Sequence, residues 1–477
     1  MRFTARDRGR RPPVWACRLG AAALGRRFTS APGQRLFRHE LQQLLRLAGP
    51  IVFSQLGQVG MTTADTIMVG PLGAAPLAAV GVGGALYSFA TLLCTGIIIG
   101  MAPLVSQAFG ARDLVRCRRV LVQGCWLALA ISVPVIYGCL AGEELTRVLG
   151  QQAEVAALAG AYLRALAPGV PALFLFLALR QYLEGMGHSR PAMVLTFTGL
   201  ALNILANRLL IYGVPGWIPA MGVVGTGLAT SLVLWVRFLG MATWVFTHRD
   251  YRPRGVSWRV DRAVLARVAR IGAPVGGQFA LEVGLFSFAA IMMGWLGATE
   301  LAAHQVTLNI AATTFQVALG ASIAGSIRVG QHVGARQPRA VHRAVAATYL
   351  VAVGFMAGCA LLFLLAPHAL IGLYTHDPDI LALGVRLLLV AAAFQVFDGA
   401  QVAGMSVLRG TSDTRGPMLV AALGYWGLGV PTALLLGFRT GFGPVGVWIG
   451  LSGGLFTVAL LLALRVRSRL WLKPAPL

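Results

Sequence analysis

Three acids stand where an acid is hard to keep. Glu282 lies in the run 270–297, RIGAPVGGQFALEVGLFSFAAIMMGWLG, which is long enough to cross a bilayer. At 1.5 Å per residue it is ~18 Å from Arg270 and ~22 Å from Gly297, deep in a ~30 Å hydrocarbon layer. A carboxylate there costs about 2.5–3.5 kcal/mol on insertion scales, and such groups normally face a cavity or bundle interior and handle ions or substrate. Of the sixteen acids, only Asp65, Glu282 and Asp398 lie well within apolar runs. The bland alternative is a carboxylate paired to a structural arginine. No arginine stands at comparable depth in the runs that carry Glu282 and Asp398, which favours the functional reading.

Other polar residues share these runs. Asn203 and Asn207, at i and i+4, fall on one helix face. They either bond Asp65 and line a cavity, or act as interhelical glue. Gln305, Asn309, Thr313 and Gln316 form a polar stripe at helical spacing, read as a water-lined wall or as helix packing. His304 is a proton shuttle or, more commonly, a hydrogen-bonded structural residue. Pro50 and Pro274 bend their helices, as hinges or as static kinks. Gln58, Phe286 and Phe394 complete the candidate lining, the rings offering attraction to a cation.

Composition sets the elements that must position them. Of 477 residues, 57% are hydrophobic and 12% charged, about half the charged share of a soluble domain. Apolar runs of ~20 residues or more imply an all-α integral membrane protein, since lipid offers no partner to unpaired backbone and barrel strands are shorter. Twelve spans are expected near 44–69, 80–109, 119–141, 157–182, 191–213, 221–247, 267–296, 301–333, 343–366, 380–408, 416–437 and 444–464. The net charge of +24 does not point to nucleic acid: 33 of the 40 basic residues fall in alternate loops and the two ends, without interleaved aromatics. By the positive-inside rule both termini are cytoplasmic. The six cysteines have no metal-ligand spacing and read as small packing residues.

Residues 46–112 match 270–336 at an offset of 224 with 21 identities in 67 positions, among them Arg46/Arg270, Pro50/Pro274, Gly60/Gly284 and Arg112/Arg336. Six spans per copy is even, so the copies are parallel repeats, with the site expected near the midplane between them. The expected layout is a basic, disordered cytoplasmic extension 1–41, an N-lobe 42–247, a linker 248–266, a C-lobe 267–465 and a cytoplasmic tail 466–477. The deep acids break the repeat: Glu282 matches Gln58, and Asp65 matches Ala289. No GxxxxGK[ST], HExxH or GxSxG occurs, so no ATP site, cofactor or hydrolytic enzyme is expected. Energy must come from a gradient.

Several ordered motifs then converge: GMTTADTIMVG (60–70), PLVSQAFGA (103–111), LNILANRLLIYG (202–213), FALEVGLF (279–286), LAAHQVTLN (301–309), SIRVGQHVGA (326–335) and FQVFDGAQVAGMSVLRG (394–410). Across about 42–465 the chain resembles the multidrug and toxic compound extrusion (MATE) family, in its NorM-like branch. The resemblance implies a two-lobed, V-shaped, monomeric antiporter of the bacterial inner membrane that exports cationic or polyaromatic compounds against H⁺ or Na⁺. It places Glu282 and Asp398 on the C-lobe cation site, with Na⁺ as the only metal expected there. Asp65 falls on the N-lobe acid, with Asn203 and Asn207 beside it. Where the branch can carry Tyr four residues before the tenth-helix acid, this chain has Phe394, which keeps the ring and loses the hydroxyl. That departure favours protons. The alternative is a flippase for lipid-linked saccharides, which requires an arginine-lined cavity, or for another amphiphile. A membrane enzyme acting on lipid would need a nucleophile or metal cluster, and the sequence offers neither.

Overall fold

The computed structural model describes residues 31–471. The first helix, α1 (Ala31–Val69), is 39 residues long. It is followed by α2 (Ala74–Gly110), α3 (Leu114–Leu140), α4 (Ala153–Gly185), α5 (Arg190–Ile211) and α6 (Gly222–Thr247). The second half holds α7 (Arg262–Leu296), α8 (Ala298–Gly334), α9 (Pro338–Leu365), α10 (Pro378–Gly410), α11 (Arg415–Phe438) and α12 (Gly443–Leu470). Among the described residues, eleven helices, α2 to α12, are long and apolar enough to cross a membrane. The twelfth, α1, is long enough but more polar, because Gln55, Gln58, Thr62, Thr63 and Asp65 crowd its second half.

Local chemistry fixes several boundaries. Asp113 caps α3 by accepting from Arg116 N at 2.9 Å. Asp261 caps α7 and Asp377 caps α10 in the same way. Gly73, at φ 113°, lets α1 turn straight into α2. Its repeat partner Gly297 separates α7 from α8.

Two expectations need correction. Residues 31–41 are not disordered: α1 begins at Ala31, because Glu40 is held by Arg328 (2.7 and 2.8 Å) and His332 (3.0 Å) of α8. Burial raises the Glu40 carboxyl, but the hydrogen bonds from His332 and Arg328 and their charges outweigh it and hold the pKa down to about 2. The last residues of the expected linker belong to α7, whose cap at Asp261 starts the helix early. The rest of the N-terminal extension, and the tail from 472 on, lie outside the described residues.

Each half buries its own core. One runs from Val69 to Ile271 and is rich in Phe174, Phe176 and Tyr182; the other runs from Leu285 to Val466 around Tyr425 and Trp448. The halves meet by exchanging partners. α2 packs on α7, and α1 packs on α8 through Leu47, Ala48 and Ile51 against Ala321, Ala324 and Ile327. The 224 offset interconverts these two seams. Gly96 lies against Gly276, and its equivalent Gly320 lies against Val52, itself the equivalent of Gly276. Small residues let helix backbones approach this closely.

The seam is tightest at the arginine-rich end. A Cβ on Gly110 would strike the Gln331 carbonyl, and a Cβ on Gly334 would strike the Gln107 carbonyl. These are two pairs of repeat equivalents, each blocking the other. Gln107 Nε2 donates to Gly410 O at 2.9 Å, and Gln331 Nε2 donates to Gly185 O at 3.1 Å. Both helices end on an arginine in the left-handed region, Arg112 at φ 59° and Arg336 at φ 54°. A pseudo-twofold axis therefore passes between α2 and α8 and closes this end.

Candidate functional site

Above the closed seam lies a cavity of about 520 Å³ between the halves. α1 contributes Gln55 and Gln58, and α4 contributes Arg180 and Glu184. From the other half come Gln278, Glu282 and Phe286 of α7, Phe315 and Gln316 of α8, and Phe394, Asp398, Gln401 and Arg409 of α10. Glu282 and Asp398 thus converge from two helices on one wall. Asp398 is 5% exposed, and Glu282 is half-buried. Neither makes a hydrogen bond or ion pair among the described residues, although their charges lie close enough to interact. The rings of Phe286 and Phe394 meet edge to face beside them, centroids 6.1 Å apart. The wall therefore combines unpaired negative charge with aromatic surface, a combination that attracts a cation.

The acids are not free of arginine. Arg409 lies eleven residues after Asp398, three helical turns along the same face of α10, and reaches the cavity with 6% exposure. Its charge interacts with that of Glu282, and its guanidinium lies 6.0 Å from the Phe279 ring centroid. Arg409 is ~16 Å along the axis from Asp398, so it does not share the depth of these acids, but the 11-residue spacing puts it on the same face and in the same cavity. Arg180 also lines the cavity but is bound to Glu184 at 2.6 Å. Arg237, 3% exposed, sits behind the wall, donates to Gln58 Oε1 at 3.1 Å and stacks over Phe176 at 4.4 Å. The lining holds three carboxyl groups and two guanidiniums.

Asp65 does not belong to this cavity. It is half-buried within the first half and accepts from Asn207 Nδ2 at 2.6 Å; the same amide reaches Asn203 Oδ1 at 3.4 Å. Asn203 and Asn207 are 1% and 0% exposed, so they brace Asp65 and do not line the central space. Gln305 and Asn309 are corrected too. They lie outside the cavity, exposed toward the far end of α8, Asn309 accepting from the Tyr374 hydroxyl at 3.1 Å. Gln305 is ~16 Å along the axis from Gln316, the member of the stripe that does line the cavity. His304 is fully buried and takes a hydrogen bond from Trp448 Nε1 at 3.2 Å, a structural role. α1 and α7 run unbroken through Pro50 and Pro274. The five described cysteines are all unpaired thiols.

Comparison with known proteins adds three findings. The model of the family described as MatE matches residues 50–209 and 274–435, once in each half. A probable multidrug resistance protein NorM from Mesorhizobium japonicum is 39% identical over 445 residues, covering 91% of this chain and 94% of its own. One from Bradyrhizobium diazoefficiens is 39% identical, covering 90% and 93%. In fold, the chain is similar to a crystal structure of MATE in the bent conformation (TM-score 0.83, 24% identity, 93% and 98% covered). It is likewise similar to the eukaryotic MATE transporter AtDTX14 (TM-score 0.80, 21% identity, 90% and 96% covered).

Proposed function

The chain belongs to the MatE family, a family of multi-pass membrane transporters, and from that premise we propose that this multidrug efflux protein works as a cation-coupled antiporter through Glu282 and Asp398. One observation carries the reading. Glu282 stands in the inter-lobe cavity beside two aromatic rings, with no hydrogen bond or ion pair among the described residues. A cationic aromatic drug and a coupling H⁺ or Na⁺ compete for that charge. Each ligand shifts the balance between inward- and outward-open states only through its differential affinity for them.

The arginine-rich end is cytoplasmic by the positive-inside rule, in the inner membrane of a bacterium. With that end sealed by α2 and α8, this arrangement faces outward. Residues 31–247 and 262–470 then move as two lobes about the seams, and Pro50 and Pro274 are the hinge candidates. The arginines in the cavity wall lend some weight to a flippase for lipid-linked saccharides. Arg180 is already taken by Glu184, however, and carboxyl groups outnumber guanidiniums in the lining, which favours a cation. The protein acts as a monomer, with small molecules and the bilayer as its partners. Ethidium efflux from proteoliposomes, with Na⁺ and proton gradients imposed separately, tests the reading. Glu282→Gln should abolish gradient-driven efflux, and undiminished efflux would remove Glu282 from the mechanism.

A further inference from the structure

The two seams are repeat equivalents, yet they end differently on the arginine-rich side. Between α1 and α8 the space is filled by Glu40, bound to Arg328 at 2.7 and 2.8 Å. In the same 224 register, the places of Glu40 and Arg328 at the α2–α7 seam are taken by Val264 and Leu104. Two aliphatic side chains thus stand where the other seam has an ion pair. They open a crevice of about 360 Å³, lined by Leu104, Val120 and Val264 and by the arginines Arg116, Arg119 and Arg267.

Leu104 and Val120 are buried and form an apolar floor, whereas the three arginines are exposed around it. None of the three makes an ion pair among the described residues. The acid of the lining, Asp113, is engaged in capping α3. The basic rim does not come with the repeat. Arg116 corresponds to Ala340 and Arg267 to Gln43, and only Arg119 has a basic counterpart, Arg343. The depth is that of lipid headgroups. Arg116 and Arg119 lie in the first two turns of α3 and Arg267 in the second turn of α7, each within ~8 Å of its helix start.

We propose that this crevice binds the headgroup phosphate of an anionic phospholipid, which does at the α2–α7 seam what Glu40 does at the other. A guanidinium fork donates paired hydrogen bonds to phosphate oxygens. Basic pockets between membrane helices on the cytoplasmic side hold anionic headgroups in the same way. The floor selects the source of the phosphate. A free phosphate gains nothing from Leu104, Val120 and Val264, whereas the glycerol and upper chains of a lipid cover them. α2 and α3 belong to the first half and α7 to the second, so the bound lipid bridges the lobes.

The test is a fluorescence-anisotropy titration of the delipidated full-length protein, in neutral detergent, with a labelled short-chain phosphatidylglycerol. Binding should saturate and be displaced by unlabelled phosphatidylglycerol. Phosphatidylcholine and inorganic phosphate should each compete at least about tenfold less well. The triple variant Arg116→Gln, Arg119→Gln, Arg267→Gln should weaken binding by about tenfold or more, since each juxtamembrane arginine is worth roughly fivefold. Arg249→Gln, Arg252→Gln, Arg254→Gln removes the same charge from the adjacent loop and should leave the affinity unchanged. Leu104→Arg with Val264→Glu installs the ion pair of the other seam and should block the crevice; if that pair fails to fold in a thermal melt, the exposed-arginine triple decides alone. Non-saturable binding to the wild type, equal competition by inorganic phosphate, or an equal loss in the loop triple would each overturn the lipid site.

Discussion

Asp65 and Glu282 are both intramembrane acids, yet their surroundings assign them different work. Asp65 is braced by Asn207 at 2.6 Å, whereas Glu282 faces open space. Removing the brace should therefore cost stability first. Asn207→Leu is expected to destabilise the protein by about 1–2 kcal/mol, the upper range for polar contacts between membrane helices. A thermal melt in detergent would register it as a lower Tm, and an unchanged Tm would mean that Asp65 has another adequate partner. The acids were legible in the sequence because a charge in an apolar run stands out alone. Arg409 was not, since it sits at the very end of α10 and its alignment with Asp398 depends on three full helical turns.

At the scale of elements, the Glu40 cluster ties the start of α1 to α8, and its charge state sets how firmly. Folding lowers the Glu40 pKa to about 2, against an ordinary value of 4.5. A depressed carboxylate contributes stability that is complete above its unfolded pKa and is lost as pH falls through the folded one. The contribution should thus be present at pH 6 and fade between about pH 4.5 and 2. Glu40→Gln should lower Tm at pH 6 and make little difference near pH 2; a gap independent of pH would mean that the bonds matter more than the charge. Most helices could be read from apolar length and their capping aspartates. The start of α1 could not, because ten arginines in 1–41 masked a segment whose anchor lies 288 residues away in α8. The π-helical stretch Ala422–Gly429 within α11 also had no sequence signature, since it answers to the contacts of Gly424 and Gly429 with Gly454 of α12.

For the whole molecule, the reciprocal contacts Gly110–Gln331 and Gly334–Gln107 hold the arginine-rich end shut in this structure. A methyl group at either glycine therefore penalises that state specifically. Gly110→Ala should cost the closed arrangement about 1–3 kcal/mol, as overpacking does, and shift the population toward opening at that end. The measure is labelling, from the arginine-rich side, of a cysteine placed at the cavity residue Ser326 in a cysteine-free background. Faster labelling is expected, and an unchanged rate would show that the glycines do not form the seal. The parallel repeat was readable from Arg46/Arg270 and Pro50/Pro274, so the two-lobed plan followed from sequence. How the lobes grip each other was not readable, because identity at constant offset says which residues are alike and not which touch. The exchanged seams also put a clock on biosynthesis. α1 leaves the ribosome about 265 residues before its mate α8, and α2 about 190 residues before α7. At roughly 5–20 residues per second they wait on the order of 10–50 s in the bilayer. For that interval the nascent protein carries its glycine-lined faces and unpaired acids bare to lipid or to whatever insertion factor shelters them.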